Sequence, residues 1–427
     1  MLGILLGLVV LMTLAYLGWS IIWVAPIAAG IVALTGGLDL LDAYKDTYMG
    51  GFVDFAKAWF PVFMLGAVFG KLMEDTGMAK SVAVALTKLI GTKRAILGVV
   101  VSCAVLTYGG VSLFVVVFAV YPLALSLFRE ANISRRLLPA TVALGAFTFT
   151  MTAIPGTPQI QNLIPIPYFQ TSATAAPIMG IVAALVMAVG GYFYLRWREK
   201  QLTEKGEVFT EPKDKKMTTL EGDAPLFILS ILPLLTVLIT LNVFNLDIVM
   251  ALISGIILIM LINIKKFKGF VTAINAGAVG SVTAIINTSA AVGFGSVVRH
   301  VPGFEQLTDI LLGIRGNPLI SEAVAVNILA GATGSASGGM GIALEALGSR
   351  YYEIALETGI SPEAFHRVAS LASGGLDTLP HNGAVLTLLT ITGMSHKESY
   401  KDIFVVAVAI PVVSVIAAII VASMGFV

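Results

Sequence analysis

Residues 138–162 read LPATVALGAFTFTMTAIPGTPQIQN, an apolar run that breaks at Pro155 into a polar stretch. A second apolar run breaks in the same way over residues 371–383, which read LASGGLDTLPHNG. Interrupted apolar segments at corresponding places in the two halves of a chain indicate the binding site of a secondary transporter. The backbone groups freed by such breaks need protein, water or solute as partners at membrane depth. The two breaks therefore predict where the functional site lies.

The amino-acid composition is that of a protein that crosses a membrane several times. The chain has 427 residues, of which 57% are hydrophobic and 12% charged, whereas soluble domains carry about 25% charged residues. A net charge of +1 provides no basic face of the kind that nucleic-acid binding needs. Four scattered histidines and one cysteine offer no metal site and no nucleophile with its base. We expect a multi-pass membrane protein with no enzyme activity, cofactor, metal site or nucleic-acid partner.

Glycine and proline residues recur along the chain at a nearly constant shift, which indicates an internal repeat. Gly30 corresponds to Gly255 in this shift, and Pro155 corresponds to Pro380. The charge of corresponding loops alternates, since the basic stretch 265–268 lies where the first half has an acidic loop. Loops rich in Lys and Arg stay on the cytoplasmic side. The two halves are therefore predicted to span the membrane in opposite directions, as the inverted repeats of transporters do.

The predicted architecture is an all-α polytopic membrane protein made of two inverted-topology repeats. Residues 1–195 form transmembrane repeat one, 196–223 a cytoplasmic linker, and 224–427 transmembrane repeat two. We expect the cell (cytoplasmic) membrane as the location, with both termini external.

Each repeat is expected to contain a re-entrant helical hairpin and a broken transmembrane helix. In repeat one, the predicted spans are 2–18, 20–37, 59–76 and 174–195. An amphipathic interfacial stretch precedes the third span, and an interfacial helix near 79–91 follows it. The two arms of the hairpin are predicted at 95–106 and 111–128. The tip of the second hairpin is predicted at residues 334–339.

Two hairpin tips and two breaks are expected to meet near the membrane midplane and to form the binding site. Their hydrogen-bonding groups are the candidate substrate ligands: Tyr108, Gly109, Gly110, Thr157, Gln159, Gln161, Asn162, Ser335, Ser337, Thr378 and Asn382. Ionisable groups at bilayer depth are costly and usually functional, and histidine titrates near neutral pH. Asp377, His381 and Glu345 are therefore the candidate proton-coupling residues.

Several of these residues have a plainer alternative role. Gln159 and Gln161 could serve only to satisfy the broken backbone, as buried polar groups must. Asp377 could cap the half-helix that follows it, and Glu345 could be a surface residue. None of the four elements contains Lys or Arg, so we expect an anion held by backbone N–H groups, hydroxyls and amides, with a neutral polar substrate left open. A charged stretch that includes His366 and Arg367 is expected to be external and solvated.

Three strings carry a resemblance to a known family: Thr107–Phe114, residues 138–162, and Gly374–Gly383. Together they make the chain resemble the gluconate permease family of the ion-transporter superfamily, over essentially its whole length. The resemblance implies a proton symporter for a small hydroxylated or amino monocarboxylate. It also implies a homodimer in which a transport domain moves like an elevator against a scaffold domain.

The second hairpin tip departs from the family pattern and affects the expected substrate. Residues 334–339 read GSASGG, whereas sugar-acid members have a tip similar to Gly-Ser-Ala-Thr-Val-Ala. This difference favours a shorter hydroxy acid such as D-3-hydroxybutyrate over gluconate. The predicted function is proton-coupled import of a small hydroxy-monocarboxylate, with sodium as the less favoured coupling ion. The alternative is a sodium/proton antiporter or an inorganic-anion transporter of the same superfamily architecture.

Overall fold

Helices make up the fold in a computed structural model that describes residues 1–212, 225–312, 317–380 and 382–427. Within those ranges no β-strand occurs. The helices of the first half are α1 Leu2–Tyr16, α2 Ile21–Thr35, α3 Leu40–Asp75, α4 Met78–Ile90, α5 Ala95–Tyr108, α6 Leu113–Glu130, α7 Leu138–Ala146, α8 Phe149–Thr152, α9 Ile160–Leu163, α10 Pro165–Phe169 and α11 Pro177–Glu204.

The second half has a similar succession of helices. They are α12 Phe227–Asn242, α13 Ile248–Ile262, α14 Ile264–His300, α15 Gly303–Leu312, α16 Pro318–Thr333, α17 Ala336–Thr358, α18 Pro362–Ser373, α19 Gly383–Thr392 and α20 His396–Ser423. In each half, two short apolar helices precede a long one, an amphipathic helix and a helical hairpin follow, and a broken segment leads to a last long helix.

Four helices in the described part of the chain are long and apolar enough to cross a membrane: α3, α11, α14 and α20. Two of them differ from the sequence expectation. The predicted interfacial stretch and span 59–76 form the single helix α3, whose first N–H groups are capped by the carboxylate of Asp39. Helix α11 continues to Glu204, beyond the predicted end at 195, and an Arg196–Glu199 ion pair lies on its polar extension. Such pairs, spaced three residues apart, support an exposed helix.

The corresponding long helices of the two halves run antiparallel to each other. In the α3–α14 contact, Gly51 lies against Ser296 and Gly277 lies against Val68. Residue numbers therefore rise on one helix as they fall on the other. Glycines at these positions let the two backbones approach closely, as is common where helices associate in membranes.

The last long helices of the two halves, α11 and α20, are also antiparallel and are joined by a buried ion pair. The Arg198 Nε donates to Asp402 Oδ1 at 2.9 Å, and Gly190 lies against Ile410 further along the contact. The Tyr194 hydroxyl donates to the same carboxylate oxygen at 2.7 Å. Both charged side chains are buried, so each depends on the other to offset the loss of water.

We expect Asp402→Asn to destabilise the protein strongly, because it leaves the Arg198 guanidinium buried without a carboxylate. Removing one partner of a buried pair typically costs about 3–5 kcal/mol. The measurement is thermal unfolding of the detergent-solubilised protein. The control is Glu353→Gln, which breaks an exposed pair with Arg350 and should cost at most about 1 kcal/mol. Equal unfolding temperatures for the two variants would contradict the expectation.

Candidate functional site

The first break separates α8 from α9 and is held together by its own polar side chains. The Thr157 hydroxyl donates to the Thr150 carbonyl at 2.9 Å. The Asn162 Nδ2 donates to the carbonyls of Thr157 and Ala173 at 3.0 and 2.7 Å. Thr157 and Asn162 are both fully buried. These bonds satisfy carbonyl groups that a continuous helix would have satisfied itself.

The first hairpin tip, between α5 and α6, lies directly against the first break. The Gln159 Nε2 donates to the Thr107 carbonyl at 2.6 Å, and the Tyr108 hydroxyl donates to the Pro155 carbonyl at 3.0 Å. The turn itself is made by Gly109 and Gly110, and Gly110 has φ +95, which favours glycine. The structure thus brings together the first tip and the first break, as the sequence predicted.

The second break separates α18 from α19 and meets the second hairpin tip. The Asn382 side chain accepts a hydrogen bond from the Val385 N–H at 2.9 Å and so caps α19. Its Nδ2 donates to the carbonyls of Asp377 and Gly334, both at 3.0 Å. Because Gly334 ends the first arm of the hairpin, Asn382 joins tip and break. The Thr378 hydroxyl donates to Ala407 on α20 at 2.7 Å.

The two breaks share one geometric device. Asn162 and Asn382 each donate to the carbonyl of the residue five positions earlier, which is Thr157 in one break and Asp377 in the other. The shared geometry pairs Asn162 with Asn382 in an alignment of the two halves. The register of this alignment differs slightly from the one that pairs Pro155 with Pro380. In this alignment a neutral threonine and an acid occupy equivalent places. His381 lies outside the described residues.

The other predicted residues of repeat two are engaged by the protein itself. The Ser335 Oγ accepts from the Gly338 N–H at 3.1 Å and caps α17, and the Ser337 Oγ lies 3.3 Å from the Thr288 Oγ1. Glu345 is bound to the Tyr168 hydroxyl at 3.3 Å and forms an ion pair with Arg299. Glu345 follows the start of α17 by nine residues, roughly 14 Å along a helix, so it lies away from the second tip.

Arg367 and His366 were expected to be solvated, and this expectation is wrong: both side chains are fully buried. The Arg367 Nη1 donates to Asn162 Oδ1 at 2.9 Å, and its Nη2 donates to the Ala175 carbonyl at 2.6 Å. The His366 Nε2 lies 3.4 Å from the same Asn162 oxygen, and its Nδ1 lies 2.6 Å from the Thr171 hydroxyl. Helix α18 is surrounded by other helices of both halves, so carbonyl and amide groups replace water around these side chains.

Arg367 brings a positive charge to the first break from the helix that leads into the second. Among the described residues it forms no ion pair with a carboxylate, and its partners are the Asn162 amide and the carbonyls of Thr152 and Ala175. Neutral acceptors satisfy the N–H groups. The Glu363 carboxylate, one turn earlier on α18, lies within electrostatic reach of Arg367, but its Oε2 accepts from the Ala176 N–H at 2.9 Å. The Arg367 guanidinium therefore lies at the first break without a direct contact to a carboxylate among the described residues.

Four buried side-chain oxygens near the tips and breaks have no hydrogen-bond partner in the part of the chain that the structure describes. They are the Thr107 Oγ1, the Gln161 Oε1, the Asn242 Oδ1 and the Asp377 Oδ1. Buried polar atoms in native structures are nearly always paired, so unpaired ones require an explanation. A bound solute with hydroxyl groups, or a proton in the case of Asp377, provides the missing donor.

A cavity of about 460 Å³ lies beside the first break. It is bounded by α3, the segment 163–174 and the loop between α12 and α13, and Ala173, Ser172, Trp59 and Asn242 are among its lining residues. The Asn242 Nδ2 donates to the Gly156 carbonyl at 2.9 Å. One lining residue of the cavity thus binds the break, and the volume of the cavity suits a small organic solute.

Comparison with known proteins identifies the family to which this chain belongs. The family model described as GntP family permease matches residues 1–246. In Bacillus subtilis strain 168, the uncharacterized transporter YxjC is 42% identical over 446 aligned positions, which cover 94% of each chain. The chain belongs to the GntP permease family. It is a membrane transporter and not an enzyme, and the resemblance drawn from its sequence is confirmed.

Two further comparisons extend this result. An uncharacterized permease of Haemophilus influenzae is 30% identical over 197 residues. The aligned residues make up 44% of the GntP-family chain described above and 38% of the Haemophilus protein. The crystal structure of the Alcanivorax borkumensis YdaH transporter, described as having an unusual topology, matches 91% of this chain and 89% of its own. The TM-score is 0.57 at 15% sequence identity. This likeness concerns the fold alone, which is that of an all-helical transporter.

Proposed function

We propose that this permease imports a small hydroxy-monocarboxylate, such as D-3-hydroxybutyrate or gluconate, together with a proton. The observation that carries the proposal is the buried Arg367 guanidinium, which lies at the first break without a carboxylate partner. The carboxylate of the substrate supplies the direct ionic contact that Arg367 does not make with Glu363, whose Oε2 binds the Ala176 N–H. Charge-assisted bonds of this kind are about twice as strong as neutral ones.

The hydroxyl group of the substrate has acceptors within the same region. The Gln161 Oε1 and the Thr107 Oγ1 are buried and without partners among the described residues, and both belong to the first tip and break. A site built to hydrogen-bond a hydroxyl rejects the analogue that lacks it, because its polar groups then stay unpaired. We infer that repeat one selects the substrate through these groups, together with Tyr108, Gln159 and Asn162.

Proton coupling is proposed for the second break. The Asp377 side chain is 7% exposed, and its Oδ1 has no partner among the described residues. An ionised carboxylate in that place is costly, and binding a proton removes the cost. The proton would come from the side on which the site opens and would leave on the other side with the substrate. Asn382, Thr378, Ser335 and Ser337 hold this region together.

The architecture we propose is a pair of inverted repeats, 1–195 and 224–427, joined by a cytoplasmic linker, with both termini external. The antiparallel contacts of α3 with α14 and of α11 with α20 support the inversion, because helices that correspond in the two halves point in opposite directions. By family resemblance, we further propose a homodimer in which a transport domain carries the tips and breaks past a scaffold domain.

The test is uptake of radiolabelled D-3-hydroxybutyrate and gluconate by purified permease in liposomes, with and without an inward proton gradient. We expect faster uptake and accumulation with the gradient, and a raised unfolding temperature when either acid binds, since a ligand that binds only the folded state stabilises it. Uptake driven by sodium and indifferent to pH would overturn the proton coupling. Ion exchange without organic solute would favour the antiporter or inorganic-anion alternative.

A further inference from the structure

Glu322 is an acidic side chain in the protein interior that, unlike the buried Asp402, forms no ion pair among the described residues. It lies on α16, the first arm of the second hairpin, and it is fully buried. Neither of its carboxylate oxygens has a hydrogen-bond partner among the described residues. An unpaired carboxylate buried in the protein interior is too costly to persist in the ionised form. In this conformation the group requires a proton or a cation.

The charged and titratable groups around α16 do not supply a counter-charge. They are Glu345, Arg350, Tyr351, Tyr352, Glu353 and Glu357 on α17, Glu363, His366 and Arg367 on α18, Asp377 in the second break, and Glu305 and Asp309 on α15. The part of α20 that contacts α16, Ile410–Ser423, has no titratable residue. Arg350 pairs with acids on its own helix, and Arg367 binds the first break. Tyr351, whose hydroxyl lies 3.0 Å from the Ser321 hydroxyl, is the group within electrostatic reach of Glu322.

The helix that carries Glu322 is joined to the second break, which carries Asp377. The Asn327 Oδ1 on α16 accepts from the Leu376 N–H at 3.2 Å, so α16 and the second break are joined. Asn327 follows Glu322 by five residues, roughly 8 Å along the helix, so Glu322 lies about one and a half turns from the contact between α16 and the second break.

We propose that Glu322 binds a second transported proton, so that two protons accompany each substrate anion. The inference rests on the proposed proton coupling and extends it. The Glu322 carboxylate takes a proton from water on the entry side, forms a neutral carboxylic acid during the passage, and returns the proton to water on the exit side. One substrate anion with two protons carries one net positive charge across the membrane. Transport is therefore driven by the membrane potential as well as by the pH gradient.

The experiment measures the proton-to-substrate ratio of the wild-type permease in liposomes under imposed pH gradients and potassium-diffusion potentials. With two protons, a potential of about 100 mV that is negative inside gives about 50-fold accumulation without any pH gradient. With one proton, the potential has no effect. That outcome overturns the role of Glu322 and leaves the proposed function intact, whereas uptake independent of protons overturns both. The wild-type measurement decides the ratio even where a variant fails to fold.

The variant Glu322→Gln tests whether this residue carries the second proton, because glutamine has the shape of the protonated glutamic acid and cannot release a proton. We expect it to lose the response to potential and keep both pH-driven uptake and substrate exchange. The control is Glu305→Gln, an exposed position on α15, which should accumulate substrate as the wild type does. The proposal is overturned if the Glu322→Gln permease still responds to the membrane potential. It is also overturned if this variant folds but cannot exchange substrate. The pair Asp377→Asn and Glu322→Gln together should abolish accumulation entirely.

Discussion

The Asp377→Asn permease will accumulate about tenfold less substrate than the wild type for each unit of pH gradient, while it continues to exchange substrate. One pH unit corresponds to about 1.4 kcal/mol per proton, so the loss of one coupled proton removes one factor of ten. Exchange survives because asparagine has the shape of the protonated aspartic acid. The backbone carbonyl of Asp377, which binds Asn382, is unchanged by the substitution. The readout is the steady-state ratio of labelled substrate inside and outside liposomes.

The matched control is Asp309→Asn on α15, where the acid is exposed. This variant should reach the wild-type accumulation ratio, because an exposed carboxylate is already solvated in both states of the carrier. If Asp377→Asn also reached the wild-type ratio, Asp377 would have no part in coupling. If the variant lost exchange as well, while it still unfolded cooperatively, the residue would be needed for substrate binding rather than for the proton.

The breaks and tips could be predicted because their causes are local in the sequence. Closely spaced proline and glycine residues end a helix, although a single proline such as Pro61 lies inside α3, and a nearby asparagine or serine provides a cap. The segments around Pro155 and Asp377 therefore form breaks in the structure, and the turn at Gly109 and Gly110 is where the sequence places it. For the two glutamines whose role the sequence left open, the Gln159 side chain binds the Thr107 carbonyl, whereas the Gln161 Oε1 has no partner among the described residues.

Residues whose role depends on distant contacts were not found in this way. Whether Arg367 is solvated depends on which helices surround α18, and several of those come from the other half of the chain. Local charge density around Glu353 and Glu357 suggested a solvated stretch, yet those acids lie on the exposed side of α17. A signal was nonetheless present. His366 and Arg367 stand in a run of small and apolar residues that leads directly into the second break. Glu322 stands in a similar run of small and apolar residues in α16.

We expect Arg367→Met to weaken substrate binding at least about 30-fold, because truncating one side of a buried charge interaction costs about 2–5 kcal/mol. The same change should destabilise the empty protein by roughly 3 kcal/mol or more. The carbonyls of Thr152 and Ala175 and the Asn162 Oδ1 lose their donor, and each unpaired buried acceptor costs about 1–3 kcal/mol. Unfolding temperatures with and without D-3-hydroxybutyrate measure both effects on one sample.

Two further variants separate the charge of Arg367 from its role in holding the first break. Arg367→Lys keeps the charge but cannot reproduce the planar set of donors, so it should destabilise the protein and still bind substrate better than Arg367→Met. Arg350→Met removes an arginine that is exposed and paired with Glu353, and it should leave binding unchanged. If the methionine and lysine variants of Arg367 bound substrate equally, the guanidinium would act only as a structural tie between the two halves. The carboxylate of the substrate would then have to be held by the helix ends at the tips and breaks.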